Sequence, residues 1–162
     1  MTRFSLAALL CTLTLAGTAN AAVLTESNIS TADAQKLVTA ALAACQAKGY
    51  NVSAAVVDRA GVLKAFARAD NAGPHTIDAS RAKAFTSASA KTPTLTIMQN
   101  SQKNPGAANL TDIPGYLLLG GGVPVKAGDV VIGAIGVAGA PGGDLDAQCA
   151  DEVLAANAGL FK

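Results

Sequence analysis

The sequence predicts an α+β domain in which about five strands form a largely antiparallel sheet flanked by helices. Two observations carry this expectation. Apolar residues recur at helical spacing near both ends of the chain, and the Val- and Ala-rich runs between them are joined by turns too short for parallel crossovers. With 162 residues, 51% hydrophobic and 14% charged, the chain amounts to one domain with enough apolar content to bury a core. A formal charge of +1 argues against a nucleic-acid binder, which draws in phosphates with a basic excess, and the hydrophobicity argues against intrinsic disorder. One His and three Cys leave too few soft ligands for a closed zinc site.

The first segment is of a different kind from the rest. Arg3 supplies a positive start, Leu6 to Ala16 an apolar run, and Ala19-Asn20-Ala21 the small-x-small form that signal peptidase accepts. Residues 1–21 therefore read as an export signal and 22–162 as the domain, with a periplasmic or secreted destination. The apolar run falls far short of the ~20 residues of a spanning helix, so no stable membrane insertion is expected. Leu10 is too bulky for a lipidation site at Cys11. Cleavage takes Arg3 and no acid, which leaves a formally neutral protein carrying Cys45 and Cys149 into a disulfide-permissive compartment.

Ser30-Thr31-Ala32-Asp33 has the form of an N-cap with an acid three residues on, and Leu37, Val38, Ala41, Leu42 and Cys45 follow at helical spacing until Gly49, so 30–48 is a helix. Asn51 to Val57 and Val62 to Ala67, joined by Asp58-Arg59-Ala60-Gly61, form a β-hairpin. After the loop Asp70-Asn71-Ala72-Gly73-Pro74, a second helix runs from Thr76 to about Lys91 and is stopped by Thr92-Pro93. A short helical turn is expected at Leu95 to Met98, then a polar loop from Ser101 to Asp112. Tyr116 to Leu119, Val123 to Lys126 and Asp129 to Ala138 read as strands, broken by Gly120-Gly121-Gly122 and Ala127-Gly128. Gly139-Ala140-Pro141-Gly142-Gly143 ends the sheet, and Asp144 opens a last helix with Leu145, Cys149 and Val153 on one stripe. Both cysteines thus lie on apolar stripes, as buried thiols or as a disulfide. Terminal helices sharing one face of the sheet would join Cys45 to Cys149, and that disulfide is the expectation.

Neither glycine run has P-loop or dinucleotide-binding spacing. The Gly139 to Gly143 turn does feed a helix start, where free N–H groups and the helix dipole hold an anion; a tight turn without a ligand is the other reading. His75, the sole imidazole, is the only strong nitrogen ligand for a transition metal or haem iron, unless it is an ordinary surface-loop residue. No Ser/His/Asp arrangement can be assigned. Arg68, Arg81 and Lys83 flank the same loop and helix, either as solvated charges or as partners for a ligand carboxylate.

The run Val57-Asp58-Arg59-Ala60-Gly61-Val62-Leu63 through Asp70, followed by Ser80-Arg81-Ala82-Lys83-Ala84-Phe85 through Ala88, resembles the haem-binding GlcG and HbpS family. So does the later run from Gly120-Gly121-Gly122-Val123-Pro124-Val125 through Gly133 to Asp144, continued by Asp146, Cys149 and Ala150. The resemblance implies a profilin-like or PAS-like domain, a five-stranded antiparallel sheet with helices on both sides, commonly assembled into homo-oligomers. Its members include secreted haem binders, some credited with haem degradation or sensing, and the carboxy-terminal module of PduO-type cobalamin adenosyltransferases. This chain has Asp70-Asn71-Ala72-Gly73-Pro74-His75 where the family more often has Asp-Gly-Ala, which puts a His at the pocket rim. The expected cofactor is haem, held non-covalently because Cys-x-x-Cys-His is absent. His75 is the candidate axial ligand, with Gly139, Ala140, Pro141, Gly142 and Gly143 at the pocket edge and Arg68, Ser80 and Lys83 as further lining. Three readings stay open: a haem binder that scavenges, buffers or senses, an enzyme acting on haem or another small molecule, and an oligomeric binding module without haem.

Overall fold

Ser30 caps the first helix, its Oγ accepting the Asp33 N–H at 3.0 Å, and α1 (Thr31–Gln46) buries Ala34, Leu37, Val38, Ala41 and Cys45 along one stripe. The computed structural model describes residues 22–161; the expected export segment, with Cys11, lies outside the described residues. After α1 come β1 (Ser53–Asp58), β2 (Leu63–Arg68), α2 (Thr76–Ala90), α3 (Thr94–Lys103), a 3₁₀ segment (Pro105–Asp112), β3 (Gly122–Ala127), β4 (Val130–Ala138), α4 (Gly143–Ala156) and a 3₁₀ turn (Ala158–Phe161). The sheet order is β2-β1-β4-β3 and every neighbouring pair is antiparallel.

Alternation along β1 sorts the layers. Ala54 and Val56 join Leu37, Ala41, Ile135, Val137, Cys149 and Val153 in the larger core, so α1 and α4 cover that face together. Ala55 and Val57 point the other way, onto Ala84 and Ala88 of α2. A sheet buried on both faces explains why β1 reads as a nearly continuous apolar run. The two helices on the larger core are joined by the Cys45–Cys149 disulfide, with Cα atoms 5.7 Å apart, inside the usual range for a bridge.

On the opposite face α2 has almost no apolar stripe, and buries Thr76, Ser80, Lys83, Thr86 and Ser87. Its packing rests on closeness instead of bulk. A Cβ at Gly136 of β4 would run into the Ser80 carbonyl oxygen and stand 2.6 Å from the Ala84 nitrogen, so the helix backbone lies directly on the strand where only glycine fits.

Two expectations are corrected. The sheet has four strands among the described residues, not five, because 116–119 belongs to no strand. The Leu117 N–H donates to Thr86 Oγ1 at 2.8 Å, and the Leu119 carbonyl accepts from Thr94 Oγ1 at 2.7 Å, so helix side chains satisfy the backbone that a ladder would have used. The polar stretch after Pro93 is also more regular than expected: α3 extends to Lys103, and most of the remaining loop is 3₁₀.

Candidate functional site

Three elements meet at one end of the sheet: the start of α2, the end of β4 and the start of α4. Between them lies a pocket of about 230 Å³ lined by His75, Ala79, Lys83, Leu119, Ala138, Asp146 and the whole turn from Gly139 to Gly143. His75 is the residue at which α2 begins; its ring lies back over Gly73, where a Cβ would stand 2.7 Å from Cε1. The imidazole is exposed and makes no capping bond, so its ring nitrogens are open to a ligand.

The floor of the pocket is an ion pair. Lys83 Nζ stands 2.7 Å from Asp146 Oδ2 and also donates to the Val137 carbonyl at 3.0 Å; Asp146 Oδ1 accepts the Ala140 N–H at 2.9 Å. The side chains are 1% and 4% exposed. Burial pushes the Lys83 ammonium below its ordinary range, against the pull of Asp146, and pushes the Asp146 carboxyl above its ordinary range, against the pull of Lys83. The pair therefore ties α2 to the β4–α4 turn, and most of its charge is spent internally. Gly121 (φ +123°) lets the chain pass over it: a Cβ there would stand 2.8 Å from Asp146 Cβ and 3.0 Å from Lys83 Nζ.

Gly142 precedes α4 with no side chain to cap it; the Leu145 and Asp146 N–H groups donate to the Gly142 carbonyl at 3.1 Å, which leaves those of Gly143 and Asp144 for an anion, in a first turn that already carries two acids. Chemically the pocket offers one nitrogen ligand at its rim, one anion-accepting helix start and a neutralised floor.

Of the residues expected from sequence, His75, Lys83, Gly139, Ala140, Pro141, Gly142 and Gly143 line this one pocket. Arg68 and Ser80 do not. Arg68 Nη2 donates to the Ala72 carbonyl and so shapes the loop before α2, while Ser80 is fully buried with its hydroxyl on the Ile77 carbonyl. Asp146 was missed as a site residue, because an acid in the first turn of a helix reads as a complement to the helix dipole. The faint signal was Lys83, a cation in a helix whose other inward residues are small. Among the described residues, no cluster of three or more His, Cys, Asp or Glu could hold a metal ion, and no helix is long and apolar enough to cross a membrane.

The chain matches the family model described as haem degrading protein HbpS-like over residues 29–155. Among solved structures it is similar to an HbpS double mutant from Streptomyces reticuli, at 39% identity and a TM-score of 0.78, covering 87% of this chain and 97% of that one. It is similar to ORFY from Klebsiella pneumoniae at 29% identity and a TM-score of 0.74, covering 86% and 99%. With a PduOC:haem complex it shares the fold, at 24% identity and a TM-score of 0.71, covering 80% and 94%. No curated protein matches the chain.

Proposed function

The chain belongs to the HbpS-like family, and we propose that it is an exported protein that binds haem non-covalently at the His75 pocket. The observation that carries this reading is the presence of the sole imidazole and the start of α4 in one pocket, across a floor whose charges are already paired. A porphyrin with an iron centre and carboxylate arms asks for those two features. His75 would hold the iron, and the Gly143 and Asp144 N–H groups at the start of α4, where the Gly139 to Gly143 turn ends, would hold a carboxylate. Bound haem supplies an iron that changes oxidation state and accepts further ligands. The pocket, about 230 Å³, lies below the roughly 300–1,000 Å³ of enclosing ligand sites, so a haem here would be held along one edge and not enclosed.

Export is supported by the signal pattern over residues 1–21 and by the Cys45–Cys149 disulfide, which suits an oxidising compartment. The role that fits is scavenging, buffering or sensing of haem outside the cytoplasm. The description of the family model favours a second reading, in which bound haem is broken down.

Haemin titration of the wild type and of His75→Ala, followed at the Soret band, tests the site. The wild type should saturate, and the variant should bind more weakly with a shifted maximum. Equal affinity and an unchanged maximum would exclude His75 as the ligand, and no binding by either protein would remove the haem reading. Protein-dependent loss of the Soret band on adding ascorbate would favour breakdown over storage.

A further inference from the structure

We propose that Lys83 and Asp146 are positioning residues of the haem site, their ion pair fixing the span between the imidazole that meets the iron and the helix start that meets a carboxylate. The inference rests on the haem reading and adds which residues set the geometry of that site. His75, Ala79 and Lys83 recur every four residues along α2, so they share one face of the helix, and all three line the pocket. His75 is thereby carried at one end of a rod roughly 12 Å long whose other end is Lys83.

Lys83 joins that rod to the turn. Every other residue that α2 buries is Ala, Ser or Thr, so Lys83 is its one buried side chain long enough to reach across. The ammonium donates to Asp146 Oδ2 at 2.7 Å, and the other oxygen of the same carboxylate accepts the Ala140 N–H at 2.9 Å. A single carboxylate in the first turn of α4 thus holds α2 on one side and the entry of the glycine turn on the other, with Gly143 and Asp144 between them in sequence. Among the described residues, no other side-chain hydrogen bond joins α2 to the segment 139–146.

Holding two elements together does not by itself call for charge. Burial opposes the charged form of both groups, and an apolar pair of similar volume often holds a fold as well. What the ion pair adds is direction, and with it a fixed separation. Neither group is left over to bind the ligand: Lys83 is engaged by Asp146 and the Val137 carbonyl, Asp146 by Lys83 and Ala140, and the side chains are 1% and 4% exposed. Lys83 also cancels one of the two acids in the first turn of α4, which an incoming carboxylate would otherwise meet unpaired.

Titration with haemin and with its dimethyl ester, whose carboxyl groups carry no charge, tests this in the wild type and in Lys83→Met/Asp146→Asn. The double variant removes the pair, keeps an acceptor for Ala140 and strands no charge; far-UV circular dichroism verifies that it folds. The wild type should prefer haemin to the ester by at least about tenfold, the worth of a charge-assisted hydrogen bond. In the double variant the Soret maximum should stay, because His75 is untouched, while the preference should fall to about twofold or less. Asp146→Glu keeps the charge and lengthens the reach by one methylene, so it should lower the preference as well, and it supplies the reading where the double variant does not fold. A wild-type preference in either variant, or a shifted Soret maximum in the double variant, overturns the proposal and leaves the haem site standing. A wild type that takes both compounds equally overturns it too, since no carboxylate is then held. A wild type that binds neither removes the haem reading, and the proposal with it.

Discussion

Asp146→Asn strikes the one ionic contact that binds α2 to the β4–α4 turn. The asparagine oxygen still accepts the Ala140 N–H, so that bond to the turn survives. What is lost is the negative charge 2.7 Å from Lys83 Nζ, and the new amide group points donors at an ammonium that can only donate. Lys83 is 1% exposed and keeps a single acceptor, the Val137 carbonyl. Stranding one charge of a buried pair costs about 3–5 kcal/mol, a large share of the ~5–15 kcal/mol that holds a domain of this size together. With a urea dependence of about 1–3 kcal/mol per molar, the midpoint should fall by on the order of 2 M. Adding Lys83→Met removes the stranded ammonium while refilling its stem, and should return at least about 2 kcal/mol. Urea unfolding of the oxidised wild type, both single variants and the double variant, followed by far-UV circular dichroism, gives the cycle. Asp146→Asn within ~0.5 kcal/mol of wild type, or single effects that simply add in the double variant, would refute the reasoning.

Three further outcomes follow from the same packing. Reducing Cys45–Cys149, or replacing both by Ala, opens a cross-link spanning 104 residues and should cost ~4–5 kcal/mol in the chain-entropy view, read as a drop in urea midpoint; an unchanged midpoint would contradict it. Gly136→Ala drives a methyl into the backbone of α2 and should destabilise by at least about 1–3 kcal/mol, measured by the same unfolding curves, whereas a neutral effect would mean that α2 does not lie on β4 as described. Lys83 has its pKa lowered by burial, so in the alkaline window ending at 10.5 the unfolded chain holds a proton that the folded chain has released. Stability of the wild type relative to Lys83→Met should therefore rise with pH through that window, and a relative fall would give the wrong sign.

The terminal helices and the hairpin were legible because their signals are local. Ser30 with Asp33 marks a cap, Leu37 to Cys45 a stripe, and Asp58 to Gly61 a turn, and each does in the structure what its chemistry asks. The cysteine pairing was legible for a related reason, since two apolar stripes ending on Cys need only share a face. The segment 116–119 misled because its apolar residues look like a strand, while the groups that satisfy its backbone, Thr86 and Thr94, are far off in sequence. α3 outruns the short turn its sequence predicts because only Thr94 and Ile97 of its residues are buried, which leaves little periodicity to see. The pocket was half legible. Its glycine turn and His75 announce themselves by type, but Asp146 acquires its role only through contact with a lysine 63 residues away.

The most direct test of the haem site is ¹H–¹⁵N NMR of the protein with and without haemin, because the paramagnetic iron broadens amide signals near it. The account predicts that signals from Gly73 to Ala79 and from Ala138 to Asp146 are lost together, while those of Gly61 and Gly115, beside the Phe85 ring and outside the pocket, persist. Broadening centred on Gly61 and Gly115, with the His75 and Gly139 to Gly143 signals intact, would contradict it.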